Sequence, residues 1–163
     1  MVSFRDMQEE DIIFLSELLN EKQIVASLHN AVKSYEEWLE TYKKYWKDDD
    51  DEKHFIVYSD GDPVGWLKFN GLKNTETAWI SMLVVSTKQQ NKGIGHCAIA
   101  FSEEYMKSKG ITKIGIHTTD DNLIAQKLYM KCGYSIVEYG ACTTGDGAHR
   151  MGYTFMKNLN PFG

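Results

Sequence analysis

Long apolar runs are missing from this chain of 163 residues, and nothing in it approaches the roughly 18 consecutive apolar residues that a membrane span requires. The opening residues, Met1 to Asp6, lack the basic and apolar stretches of a signal peptide. Proline is scarce, at two residues, and no low-complexity linker or internal repeat breaks the sequence. A length of this order fits one domain, 1–163. Basic charge is in deficit: 18 Lys and Arg stand against 23 Asp and Glu, for a net charge of −5. Without a basic stripe the chain does not read as a nucleic-acid binder. The three cysteines (Cys97, Cys132, Cys142) show neither C-x-x-C nor Cys/His ligand spacing. They suit packing roles in a reducing cytoplasm, and no metal is expected.

What is present begins with a short strand, Val2 to Arg5, followed by a helix over Asp11 to Asn20 with apolar residues at helical spacing. Ser34-Tyr35-Glu36-Glu37 is a capping box for a second helix that carries Trp38, Leu39, Tyr42, Tyr45 and Trp46. Five carboxylates follow, Asp48 to Glu52, either as a solvated loop or as a negative field that attracts cations. Period-two sequence then predicts strands at His54–Tyr58 and Val64–Phe69, joined by the turn Ser59–Asp62. After a polar loop over 70–76, the apolar run Ala78–Val85 reads as a central strand covered on both faces. A helix from Gly93 to Ser108 should turn Ile94, Cys97, Ala98, Phe101 and Tyr105 inward. Strand Ile111–His117, a helix capped by Asp120 or Asp121, and strands Tyr134–Tyr139 and Met151–Met156 complete an α/β order with a mixed sheet.

The densest chemistry lies in Gln90-Asn91-Lys92-Gly93-Ile94-Gly95. Glycines at the first turn of a helix leave main-chain N–H groups open to an anion, and the helix dipole favours it. Lys88 and Lys92 can add positive charge. Alone, G-x-G is equally compatible with close helix packing. A dinucleotide fingerprint would place its first glycine directly after the strand, whereas seven residues separate Val85 from Gly93 here.

These residues resemble the first signature of the GNAT superfamily of N-acetyltransferases, [Q/R]-x-x-G-x-[G/A]. Asn122 to Tyr134 is similar to the family's N-x-x-A-x-x-x-Y-x-x-x-G-[F/Y] block. Together they cover about residues 54–140. The resemblance implies a single α/β (α+β) domain with a mixed, mostly antiparallel sheet of six to seven strands and about four helices. It implies acetyl-CoA as co-substrate and transfer to the amine of a small molecule or peptide, with a non-catalytic acyl-CoA-binding module as the alternative and a homodimer left open. Cofactor contacts fall to Leu83, Val84, Val85, Gln90, Asn91, Lys92, Gly93, Ile94, Gly95, His96, Asn122 and Tyr129. Tyr129 corresponds to the residue that protonates the departing thiolate, and a free N–H near Leu83 would hold the oxyanion.

Some members carry a basic glutamate early in the fourth strand; that position here is Trp79. Water or His117 is expected to mediate proton removal in its place, with Glu76, Asp120 and Ser81 as nearby alternatives. Trp38, Tyr42, Trp66, Trp79, Asp146, His149 and Arg150 are expected to bound the acceptor.

Overall fold

A computed structural model describes residues 1–74 and 76–159; Thr75, in the loop expected over 70–76, lies outside them. Among the described residues the strands are β1 (Val2–Asp6), β2 (Lys53–Ser59), β3 (Asp62–Asn70), β4 (Thr77–Val85), β5 (Lys113–Thr119), β6 (Ser135–Thr143) and β7 (His149–Asn158). They form one sheet in the order β1-β2-β3-β4-β5-β7-β6, antiparallel throughout except for the parallel pair β4/β5. The helices are α1 (Ile12–Leu19), α2 (Lys22–Leu28), α3 (Tyr35–Thr41), α4 (Ile94–Ser108) and α5 (Leu123–Lys131).

Period-two alternation gives the sheet two apolar faces. Phe55, Leu67, Phe69, Ile80, Ile114, Ile116 and Phe155 pack with Ile94, Ile99 and Met106 of α4 and Tyr129 of α5. On the other face Ile56, Trp66 and Val84 meet Ile12, Leu15, Leu18 and Leu19 of α1, Ile24 of α2 and Trp38 of α3. Each fully buried aliphatic side chain contributes about 1.5–3 kcal/mol, so the two layers hold the sheet from both sides.

The capping box at α3 is made in both directions: Glu37 N–H donates to Ser34 Oγ at 3.2 Å and Ser34 N–H to Glu37 Oε1 at 3.1 Å. That helix then widens into a π-helical turn over Tyr42–Trp46, which brings Trp46 onto His54, at 4.5 Å between ring centroids, and onto Trp66, at 5.6 Å.

Three expectations are corrected. Cys97 is exposed rather than buried, because the face of α4 against the sheet runs through Ile94, Ala98, Ser102 and Met106, one i, i+4 line. The α5 cap is Asn122, whose Oδ1 accepts from Ala125 N–H at 3.2 Å, because the Asp121 carboxylate is engaged by Thr119 and His29. Between α1 and α3 lies a further helix, α2, held by tertiary contacts described below.

Candidate active site

Four residue pairs join β4 to β5, from Thr77↔Lys113 to Ile80↔Ile116. Beyond them the two parallel strands have no ladder between them, and the sheet opens as a V. The β3–β4 register fixes which backbone groups face that opening. Ser86 N–H donates to Val64 O at 2.8 Å, and the register continues unbroken from Gly65↔Val85 to Lys68↔Met82. Antiparallel pairs alternate between bonded and non-bonded, so residues 84 and 82 bond toward β3. The N–H and C=O groups of Leu83 and Val85 therefore turn to the open side. The Val85 carbonyl there accepts a hydrogen bond from Gln90 Nε2 at 3.1 Å.

A cleft of about 540 Å³ occupies this opening and runs to the start of α4. It brings together Leu83, Val84, Val85, Gln90, Asn91, Gly93, Ile94, Gly95, His96, Asn122 and Tyr129. Two of the expected site residues are not on its wall. Lys92 bonds Gln89 Oε1 at 3.1 Å. His117 stands on β5 with Nδ1 3.3 Å from Thr154 Oγ1, and its ring lies where a side chain on Gly152 of β7 would be, 2.7 Å from Nε2. Burial pushes this imidazole below its ordinary range, opposed by Glu138. The cations on the cleft wall come instead from α5, as Lys127 and Lys131.

The two motif glycines differ in surroundings. Gly93 has φ +78°, and a β-carbon there would meet nothing within 4 Å, so the first turn of α4 is bare toward the cleft. At Gly95 the same atom would stand 2.8 Å from Leu128 Cδ2; this glycine lets α5 approach α4.

Tyr129 is 7% exposed and packs edge-on against Phe155, 5.5 Å between centroids. Its ring thus belongs to the core while the residue borders the cleft. Burial pushes its hydroxyl from the ordinary 10 up to about 12, so the phenol, already protonated at neutral pH, is harder to ionise. Asn122 spends Oδ1 on its cap and has an amide nitrogen left for the cleft.

The remaining wall is α2, which supplies Ile24, Ser27 and Leu28. Its leading end is tied to the exit of β4, where Glu21 accepts from Ser86 Oγ and Thr87 N–H, both at 2.8 Å. Its trailing end is tied beyond β5, where His29 Nε2 lies 2.8 Å from Asp121 Oδ2 and His29 O accepts from Asp146 N–H at 2.9 Å. The helix therefore spans the open V. No sequence motif marks these residues, since neither signature block extends to them.

The acidic run is largely structural. Asp51 accepts main-chain N–H groups of Gly71 and Lys73, Asp50 pairs with Lys73 at 2.8 Å, and Glu52 bonds Asn70 and Lys68. Of the expected acceptor residues, Trp38 and Trp66 lie in the core at 7% and 2% exposure. Arg150 is engaged by Asp146 at 2.9 Å. Trp79 lies across Gly115 of β5, where a β-carbon would fall 2.4 Å from its ring.

Comparison with known proteins agrees with this geometry. A streptothricin acetyltransferase of Escherichia coli is 32% identical over 97 residues, 58% of this chain; the chain spans about half the length of that relative, 55%. A Vibrio cholerae spermidine N-acetyltransferase, solved with CoA and spermine, superposes with a TM-score of 0.85 at 20% identity, covering 97% of this chain and 95% of the other. An aminoglycoside acetyltransferase in complex with coenzyme A gives 0.81 at 24% identity, covering 99% and 97%. These two likenesses are of fold. The model of the Acetyltransferase (GNAT) family matches residues 16–134, more than two thirds of the chain, and the protein belongs to that family.

Proposed function

We propose that this chain transfers the acetyl group of acetyl-CoA directly to an amine of a small molecule, in a cytoplasmic setting that suits its free thiols. One observation carries the reading: a bare helix N-terminus, an edge of β4 that no strand covers and a buried phenol meet in a single cleft. The residues fit the cofactor. The space over Gly93 is open, and the first-turn amides of α4 with Lys127 and Lys131 would hold its phosphates. The edge at Leu83 and Val85 would pair with its amide-bearing arm as an added strand does. When bound, acetyl-CoA supplies an acyl thioester open to attack by an amine.

The chain's own residues then have separable tasks. The N–H of Leu83 would donate to the thioester oxygen as negative charge grows there; such a donor is worth about 10²–10³-fold in rate. Tyr129, protonated at neutral pH as any phenol is, would give its proton to the departing sulfur, and the proton that the acylated nitrogen sheds to water restores the phenol. The Asn122 amide would steady the arm beside it. Lining the V with Ile24, Leu28 and Leu83 limits water at the reacting carbonyl.

The relatives' names direct the assay: streptothricin, spermidine and an aminoglycoside, with thiol release from acetyl-CoA as the readout. Turnover with at least one amine is expected. Tyr129→Phe should lower kcat by roughly 10²–10⁴-fold, the range of general-acid catalysis, with little change in CoA affinity. Tight CoA binding without turnover on a broad amine panel would favour the non-catalytic module instead.

A further inference from the structure

β4 and β5 pair only as far as Ile80↔Ile116, so Ser81 is the first β4 residue past the fork of the V. The β3–β4 register also skips it: Ile80 faces Phe69, and Met82 faces Lys68. Ser81 is thus a bulge at the fork, and bulges re-aim a side chain out of the ladder's alternation. The residue is exposed, yet its hydroxyl is not free to rotate. It donates to Asn70 Oδ1. Asn70 is itself held, its Nδ2 donating to Glu52 Oε1 at 2.8 Å. Glu52 is fixed in turn by Lys68 at 3.2 Å and His54 at 3.4 Å.

A serine hydroxyl has one hydrogen and two acceptor lone pairs. Here the hydrogen is committed to an oxygen that a half-buried network keeps in place. Ser81 Oγ is left as an acceptor where the two strands part, outside the cofactor cleft, whose β4 wall is Leu83, Val84 and Val85. The thioester group offers that oxygen no hydrogen, whereas an attacking amine brings N–H groups to it. We propose that Ser81 Oγ accepts a hydrogen bond from the acceptor amine and aims its lone pair at the thioester, with Asn70 and Glu52 as positioning residues that hold the hydroxyl in its acceptor role. The inference rests on the acetyl transfer proposed above. It assigns orientation, not deprotonation, to this chain of side chains.

Steady-state kinetics with the best acceptor among streptothricin, spermidine and paromomycin, alongside calorimetric CoA binding, tests it. Ser81→Ala should lower kcat/KM for the amine about 10-fold, the worth of one hydrogen bond, with the Kd for CoA and the Tm unchanged. Ser81→Thr should restore most of the loss. Asn70→Ala, which frees the hydroxyl to turn, should reproduce the amine defect, again without moving the Kd for CoA. An unaltered amine kcat/KM in Ser81→Ala overturns the proposal while leaving acetyl transfer intact. A loss seen in the Kd for CoA also overturns it, because Ser81 would then serve the donor. Wild-type protein that binds CoA but acetylates no amine sinks both readings.

Discussion

A β-carbon built on Gly95 would stand 2.8 Å from Leu128 Cδ2, whereas one on Gly93 would meet nothing within 4 Å. The same motif therefore holds one glycine for open main chain and the other for helix packing. Gly95→Val should destabilise the fold by about 1–3 kcal/mol through overpacking, and Leu128→Ala in the same chain should recover part of it; denaturant melts of the single and double variants measure this. No comparable rescue is expected for Gly93→Val, whose left-handed φ of +78° penalises any side chain. From sequence alone, the anion-site and packing explanations of G-x-G compete. They are separated only by where Leu128 comes to rest, 33 positions further along the chain.

At the scale of elements, α2 has seven residues, too few to persist as an isolated helix. Its two ties, Glu21 to Ser86 and Thr87, and His29 to Asp121, hold it across the V. Glu21→Ala should speed amide exchange over Lys22–Leu28 and raise the KM for acetyl-CoA several-fold, because one wall of the cleft loosens. His29→Asn, which tolerates the left-handed backbone at φ 54° but is too short for Asp121, should do the same. Exchange no faster than wild type in both variants would show that packing of Ile24 alone suffices. The helix was not legible in the sequence because it lacks a side-chain cap and buries only Ile24; its signal lies in partners 65 and 92 residues away. By contrast, α3 was legible from four residues, since a capping box is local chemistry.

For the whole molecule, the two faces of the sheet divide the work. One carries α4, α5 and the cofactor side of the cleft; the other carries α1–α3 and the stacked Trp46, His54 and Trp66. His54 is buried in that stack and accepts from Trp66 Nε1 at 3.1 Å. Burial, and then the charge of Lys68, push it from its ordinary 6.5 down to about 4. The unfolded chain therefore binds a proton that the folded chain refuses between those values. This group's contribution is in place above about pH 6.5 and is lost as pH falls through about 4, on the order of 3 kcal/mol in all. Urea melts at pH 7 and pH 4.5 should show the drop, and His54→Gln, which can still accept from Trp66, should flatten it.

The sequence by itself determined the strands, the capped helix α3, the glycine-started helix α4 and the two signature blocks, because each is written in neighbouring residues as periodicity, a cap or a fixed spacing. It also supplied the family resemblance. What only the tertiary structure decided is the fork between β4 and β5, the α2 wall, the source of the cleft's cations on α5, the placement of His117 outside the cleft and the bulge at Ser81. Each depends on which segments meet after the chain has folded, and contacts between residues far apart in sequence leave no local pattern to read.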